Sequence, residues 1–98
     1  MSRKLEWRDR AIHEAQDAFD WYEAQAPGTG ERLITEIDAH VVDLLARAQG
    51  YPKWRGSFKK MNLKRFPYVI VFRVMKDAVI IYSLFHSKRN PSRWGERR

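Results

Sequence analysis

The sequence predicts an α+β domain of order β-α-α-β-β-β, a small antiparallel-rich sheet with an N-terminal helical hairpin packed on one face. Three observations predict it. In the first half, apolar residues recur at three- and four-residue steps over two segments separated by PGTG (27–30). The second half holds two β-branched and aromatic runs, YVIVFRV (68–74) and AVIIYSLFH (78–86). The length of 98 residues suits a single domain, 1–98, and 44% hydrophobic residues suffice for a core.

Each element follows in order. RKLEWR (3–8) alternates polar and apolar through Leu5 and Trp7, the mark of a short strand. From Arg8 to Gln25 the period changes. Ile12, Ala15, Phe19 and Tyr22 form one stripe, Ala11, Ala18 and Ala26 extend it, and Glu14, Asp17, Asp20 and Glu23 lie elsewhere, so the expectation is an amphipathic helix with that stripe in the core. PGTG then breaks the helix, with Thr29 or Gly30 as the cap of the next.

The second helix is expected from about Glu31 to Gln49, its apolar face formed by Leu33, Ile34, Ile37, Val41, Leu44, Leu45 and Ala48. Gly50 stands where a left-handed C-cap residue is wanted, and Pro52 follows. YPKWRG (51–56) reads as a loop, and SFKKMNL (57–63) as a half-exposed strand. Pro67 opens the strong strand 68–74, in which Tyr68, Ile70, Phe72 and Val74 point one way. Val69, Val71 and Arg73 point the other, which the cation marks as the face away from the helices. A tight turn at Lys76-Asp77 returns the chain antiparallel through 78–86. Asn90-Pro91 stops the strand, and Ser92 to Arg98 form a short basic tail.

Charge sharpens the functional question. Residues 1–50 hold six Lys/Arg against ten Asp/Glu, a balance of −4, whereas residues 51–98 hold thirteen against two, a balance of +11. Such asymmetry points to an anionic partner for the second half: RNA, DNA, a ribosome or an acidic protein segment. The absence of cysteine excludes disulfides and thiolate metal sites and fits a reducing cytoplasm. Three scattered histidines offer no metal-ligand spacing, and no cofactor is expected. No apolar run approaches the roughly 20 residues that span a bilayer, so no membrane partner is expected. MSRKLEWRDR lacks the apolar stretch of a secretory signal.

WYEAQAPGTGERL (21–33), the helix end AQGYP (48–52), RFPYVIVFRV (65–74) and FHSKRNPSRW (85–94), in this order, resemble the ParE/RelE toxin superfamily of type II toxin–antitoxin modules, whose members are often called plasmid stabilisation proteins. The resemblance covers residues 3–95. Its specific pieces are Phe66-Pro67-Tyr68, the arginine of Phe72-Arg73-Val74, and the spacing of His86, Arg89, Pro91 and Trp94. It implies a bacterial, cytoplasmic toxin neutralised by a cognate antitoxin with an acidic segment. It also implies one of two targets: the ribosome with its mRNA, cleaved in the RelE manner, or DNA gyrase, poisoned in the ParE manner without nuclease activity.

The residues weigh these alternatives. RNA cleavage needs a base for the 2′-hydroxyl, cations for the phosphorane charge and an acid for the leaving oxygen. Under the resemblance Arg73 and Arg89 match the superfamily's catalytic arginines, His86 is the group able to titrate near neutrality, and Lys59 and Lys60 match its basic second strand. Many RelE-like members use a C-terminal tyrosine, or a histidine, as the proton-transfer group. Here the aromatic is Trp94, whose indole only donates a hydrogen bond.

The ParE-like mode needs only a binding surface, which Lys59, Lys60, Lys88, Arg93 and Trp94 would furnish, and it is the reading favoured by sequence. The plainer roles are a packed His86, a Trp94 closing the sheet, edge-strand lysines at 59 and 60, and an Arg73 paired with Asp77 or a helix carboxylate. A third possibility is a non-toxic nucleic-acid-binding module, which requires aromatic side chains on the exposed sheet face.

Overall fold

The computed structural model describes residues 3–88. It contains strand β1 (Lys4–Trp7), helices α1 (Asp9–Gln25) and α2 (Thr29–Arg47), a 3-10 turn (Ala48–Gly50), and strands β2 (Lys53–Arg55), β3 (Phe58–Asn62), β4 (Tyr68–Val74) and β5 (Ala78–His86). The sheet order is β1-β5-β4-β3-β2. β1 lies parallel to β5, and every other pairing is antiparallel. The α+β expectation holds, with one strand added: the segment expected as a loop supplies β2, which pairs with β3 through a register shift. Three residues are too few for their alternation to register as a pattern.

The helical hairpin covers one face. Leu33, Ile37, Val41 and Leu44 of α2, and Ala48 of the 3-10 turn that follows, are buried at three- and four-residue intervals against Ile70 and Phe72 of β4 and Val79, Ile81 and Leu84 of β5. α1 departs from the expected stripe. Ala11 and Ala18 are its buried positions, whereas Ile12 is 49% exposed and Ala26 lies at the surface. Small residues let α1 approach the sheet closely, which rotates Ile12 out to the rim of a groove shared with Phe19 and Ile34.

Carboxylates do the joining. Glu23 of α1 accepts the backbone N–H groups of Gly28 and Glu31 at 3.1 and 3.2 Å, capping α2 from the neighbouring helix. The expected cap at Thr29 or Gly30 gives way to Gly28 in the left-handed region (φ 91°), which makes no side-chain cap of its own, and both expected residues lie inside the helix. Gly30 is packed so tightly that an added Cβ would fall 2.7 Å from the Phe19 carbonyl oxygen. Gly30→Ala should therefore cost about 1–3 kcal/mol of stability, read as a lowered Tm.

Glu36 of α2 accepts the N–H groups of Lys64 and Arg65 and lies 3.1 Å from His40 Nε2, tying the β3–β4 loop to the hairpin. Burial pushes its carboxyl pKa up, but the backbone donors at Arg65 and Lys64, with His40, outweigh burial and hold it below the usual range. A depressed folded-state pKa contributes stability above the unfolded carboxyl pKa and loses it as pH falls through the folded one. Glu36→Gln should lower stability near neutrality by about 1–2 kcal/mol. It should also flatten the acid limb of a stability-versus-pH curve below roughly pH 5.

β5 contains a bulge. Val71 of β4 pairs with Ser83 but Phe72 pairs with Ile81, so Tyr82 is the extra residue. Ser83 Oγ donates to Glu14 Oε1 at 2.8 Å, and the Leu84 N–H donates to the same oxygen at 2.9 Å. Simple alternation would group His86 with Ile80, Tyr82 and Leu84. The bulge breaks that grouping: Leu84 and His86 share the helix side with Tyr68, while Tyr82 packs on the outer side. The expected division of β4 holds, with Tyr68, Ile70 and Phe72 toward the helices and Val69 and Val71 away.

Candidate functional site

The outer face of the sheet carries a second, smaller apolar cluster. Val69, Val71 and Phe85 form its floor, with Trp54, Phe58 and Tyr82 partly exposed around them. Trp54 reaches inward from edge strand β2 and stacks on Phe85, ring centroids 6.3 Å apart. Phe58 meets Tyr82 edge to face at 5.1 Å. The β-branched Val69 and Val71 lie low between the larger rings, which lets side chains from non-adjacent strands meet.

Cations interleave with these rings. The Arg55 guanidinium lies 4.4 Å from the Trp54 ring centroid and the Lys60 ammonium 5.2 Å from it. Arg73 sits 5.5 Å from the Phe58 centroid and Arg8 5.2 Å from that of Tyr82. Arg8 is placed by the β1–α1 junction, where its N–H donates to the Ile81 carbonyl at 2.9 Å. Arg73 faces outward by the alternation of β4, and its Nε is buried without a hydrogen-bond partner among the described residues. The expected pairing of Arg73 with Asp77 or a helix carboxylate does not form among those residues.

Arg8 and Arg73 both act on the Tyr82 hydroxyl. Burial raises the pKa of this phenol, but contacts with the two guanidinium groups and their positive charge outweigh burial and bring it below the ordinary tyrosine range. The same contact with Tyr82 holds Arg8 firmly protonated. Tyr82 thus lies between two guanidinium groups that favour its charged form. Glu6, on β1 at the rim, adds negative charge near Arg8.

The residues singled out from sequence separate in space. Arg73 and Lys60 belong to the outer face. Lys59 turns the other way: it is buried, and its ammonium donates to the Ala48 and Gln49 carbonyls at 3.2 Å each. It closes the C-terminal end of α2, the task expected of Gly50, which does not adopt the left-handed conformation. Nor are the two lysines on an edge, since β2 covers β3.

His86 contacts the Tyr68 ring at 5.2 Å on the helix side. Its Nδ1 accepts the backbone N–H of exposed Lys88 at 3.2 Å. Arg89, Arg93 and Trp94 lie outside the described residues. Sequence reading missed Arg8, Trp54, Arg55, Phe58 and Tyr82. Arg55 and Trp54 were hidden in a segment read as loop, whereas Tyr82, two residues from the Ile80 that pairs with Arg73, follows from the alternation of β5.

Among the described residues no cluster of His, Cys, Asp or Glu could hold a metal, and no helix is long and apolar enough to cross a membrane. The family model described as the ParE toxin of the type II toxin–antitoxin system parDE matches residues 5–91. The chain belongs to the ParE toxin family.

This ParE-family chain is 31% identical over 84 residues to the Sinorhizobium fredii protein named "Putative toxin Y4kP", covering 83% of the chain and 86% of that protein. Its fold is similar to a chain of the chromosomal ParDE toxin–antitoxin system of P. aeruginosa, with TM-score 0.75, 19% identity and coverage of 86% and 95% of the two chains. It is also similar to the isolated RelE toxin of E. coli, with TM-score 0.64, 21% identity and coverage of 96% and 93%. A doubly substituted E. coli RelE bound to a peptide of the antitoxin RelBc gives TM-score 0.56 at 21% identity, covering 98% and 94%. The protein is therefore a type II toxin of the ParE/RelE superfamily.

The two adjacent lysines give a direct test of the site's layout. Lys59→Met should cost about 1–3 kcal/mol by leaving two helix-end carbonyls without their charged donor. Lys60→Ala should change stability by less than about 0.5 kcal/mol. Chemical denaturation of the two variants measures the difference.

Proposed function

We propose that this toxin acts in the ParE manner, arresting growth by poisoning DNA gyrase, and that a cognate antitoxin neutralises it through an acidic segment. The observation that carries the reading is the separation of Arg73 from His86. Arg73 faces outward near one end of β4, while His86 pairs with Tyr68 at the other end and faces the helices. Five residue steps along β4 separate the paired positions, about 17 Å. A cation and a titrating group that far apart, on opposite faces, do not act on one phosphodiester. The ParE family match supports the same mode. The antitoxin reading is supported by the basic second half and by the antitoxin peptide bound to the RelE relative.

A second reading, ribosome-dependent mRNA cleavage, is favoured by Tyr82. The phenol stands beside Arg8 and Arg73 with its pKa lowered, and would serve as the proton-transfer group that superfamily nucleases take from a C-terminal tyrosine.

Purified toxin is expected to trap gyrase–DNA cleavage complexes on supercoiled plasmid and to leave mRNA intact in a translating extract. Message cut at ribosomes, with cutting abolished by Tyr82→Phe and no gyrase complexes, would favour the second reading. Antitoxin affinity should fall as salt rises, and indifference to salt would remove the electrostatic argument.

A further inference from the structure

We propose that the open edge of β1 pairs with the same strand of a second copy, joining two toxin chains into one continuous sheet around a twofold axis at Leu5. This is independent of the gyrase reading, which says nothing of how many copies act together.

The sheet order leaves β1 with one neighbour, β5. The Lys4 N–H donates to the Asp77 carbonyl and the Arg8 N–H to the Ile81 carbonyl, each at 2.9 Å. Backbone groups alternate in direction along a strand, so Lys4, Glu6 and Arg8 turn theirs to β5 while Leu5 and Trp7 turn theirs to the open edge. Such an edge is a template for another strand, and proteins usually guard it with charge, a proline or a bulge. β1 has no proline and pairs with β5 without a bulge. It does carry charge, but of both signs: exposed Lys4 and Glu6, two residues apart on the outer side, neither in an ion pair among the described residues.

That spacing makes the strand complementary to itself. In an antiparallel pairing centred on Leu5, the two Leu5 residues face each other and exchange both backbone hydrogen bonds. Arg3 falls opposite the second copy's Trp7 and exchanges hydrogen bonds in the same way. Between them, Lys4 falls opposite the second copy's Glu6, and Glu6 opposite its Lys4, at the closer, non-hydrogen-bonded positions. Two cross-strand pairs of opposite charge form at once. The half-buried Leu5 side chains meet on the helix side. The charges also fix the register, because centring the pairing on Lys4 or on Glu6 sets that residue against its own copy.

α1 leaves room for this. It lies over β5, where Glu14 reaches Ser83 and Leu84. In the joined sheet the two β5 strands stand three strand spacings apart, about 14 Å. Packed helices need roughly 8–10 Å. An acidic antitoxin segment at the same edge would satisfy the backbone groups but set acid against Glu6, so the second copy is the better match. The net charge of +7 on each chain opposes association. Moderate salt screens that long-range repulsion more than it screens the pairs in contact.

The test is sedimentation velocity of the full-length toxin, free of antitoxin, over a concentration series at roughly 0.15 M salt. A reversible monomer–dimer equilibrium is expected. Lys4→Glu and Glu6→Lys each place like charges at both cross-strand positions, and each should weaken dimerisation by roughly tenfold. An equal mixture of the two variants should pair again, and so should the double variant Lys4→Glu with Glu6→Lys, because both arrangements restore opposite charges. Both side chains are exposed, so all variants should keep the wild-type Tm.

A chain that stays monomeric at every concentration overturns the proposal, whatever an antitoxin does at this edge. So does a dimer indifferent to both charge reversals, whose contact would lie elsewhere. Failure of the mixture to pair again also overturns it, since the charges would then not face each other. Gyrase trapping is measured separately, and its outcome leaves this inference untouched.

Discussion

The carboxylate of Glu14 holds the bulge of β5 in place, and the rest of the sheet depends on it. A bulge interrupts the ladder and leaves backbone groups without strand partners. Buried in a core, such a group costs about 1–3 kcal/mol unless something accepts its hydrogen bond. One Glu14 oxygen takes both the Leu84 N–H and the Ser83 hydroxyl, and the other takes Arg10 Nε. With the bulge held, β5 sends Val79, Ile81 and Leu84 toward the helices while Tyr82 and Phe85 pack on the other side. Strict alternation would put Leu84 on the side of Tyr82, and Phe85 among the helices. Phe85, the ring on which Trp54 stacks, thus owes its place on the outer face to a bulge held by one acidic residue on the opposite side of the sheet.

Glu14 is one instance of a general use of acid in this chain. Glu23 caps α2, Glu36 anchors the β3–β4 loop, and Asp43 accepts the Tyr51 hydroxyl at 2.9 Å. The ion pairs Arg10–Glu14 and Arg47–Asp43 and the hydrogen bond between His40 and Glu36 each span one helical turn. The carboxylates of the first half are thus turned to backbone N–H groups and to near neighbours on their own helices. Among the described residues, none of these four carboxylates forms an ion pair with a cation of the second half. The charge asymmetry has a structural meaning: acid serves as internal acceptor, and base remains outside at Arg55, Lys60 and Arg73. Lys59 is the exception, a cation drawn inward by the carbonyl end of α2.

Long, strongly patterned segments were legible before any coordinates. The residues of β4 and β5 and the buried face of α2 coincide with their periodicity because each buries a continuous apolar row. What escaped depended on contacts distant in sequence. Nothing local in Lys53-Trp54-Arg55 distinguishes a three-residue edge strand from a loop; it becomes a strand because β3 offers a free edge. Nothing within AVIIYSLFH announces a bulge whose stabilising partner is Glu14, 69 residues earlier than Ser83. Lys59 and Lys60 are neighbours of one type, and only the pleat, with a helix end above one of them, gives them opposite roles. The superfamily motif survived these errors because it records residue identity and spacing, which a bulge does not alter.

The same reasoning explains why identity was clearer than reaction. His86, Arg89 and Arg73 are linked by a motif, yet a motif does not specify on which face of a bulged strand its members emerge. Arg73 and His86 stand at opposite ends of the β4–β5 pairing and on opposite faces, and Tyr82 on the outer side is the β5 residue that meets Arg73. An arginine half-buried among Phe58 and Tyr82, with an Nε lacking a partner among the described residues, carries a desolvation cost that an aliphatic side chain filling the same space would not. A second arginine at the same phenol raises that cost further. The Tyr82 oxygen offsets part of that cost, because it accepts from both guanidinium groups and so joins the N-terminus of α1 to the end of β4.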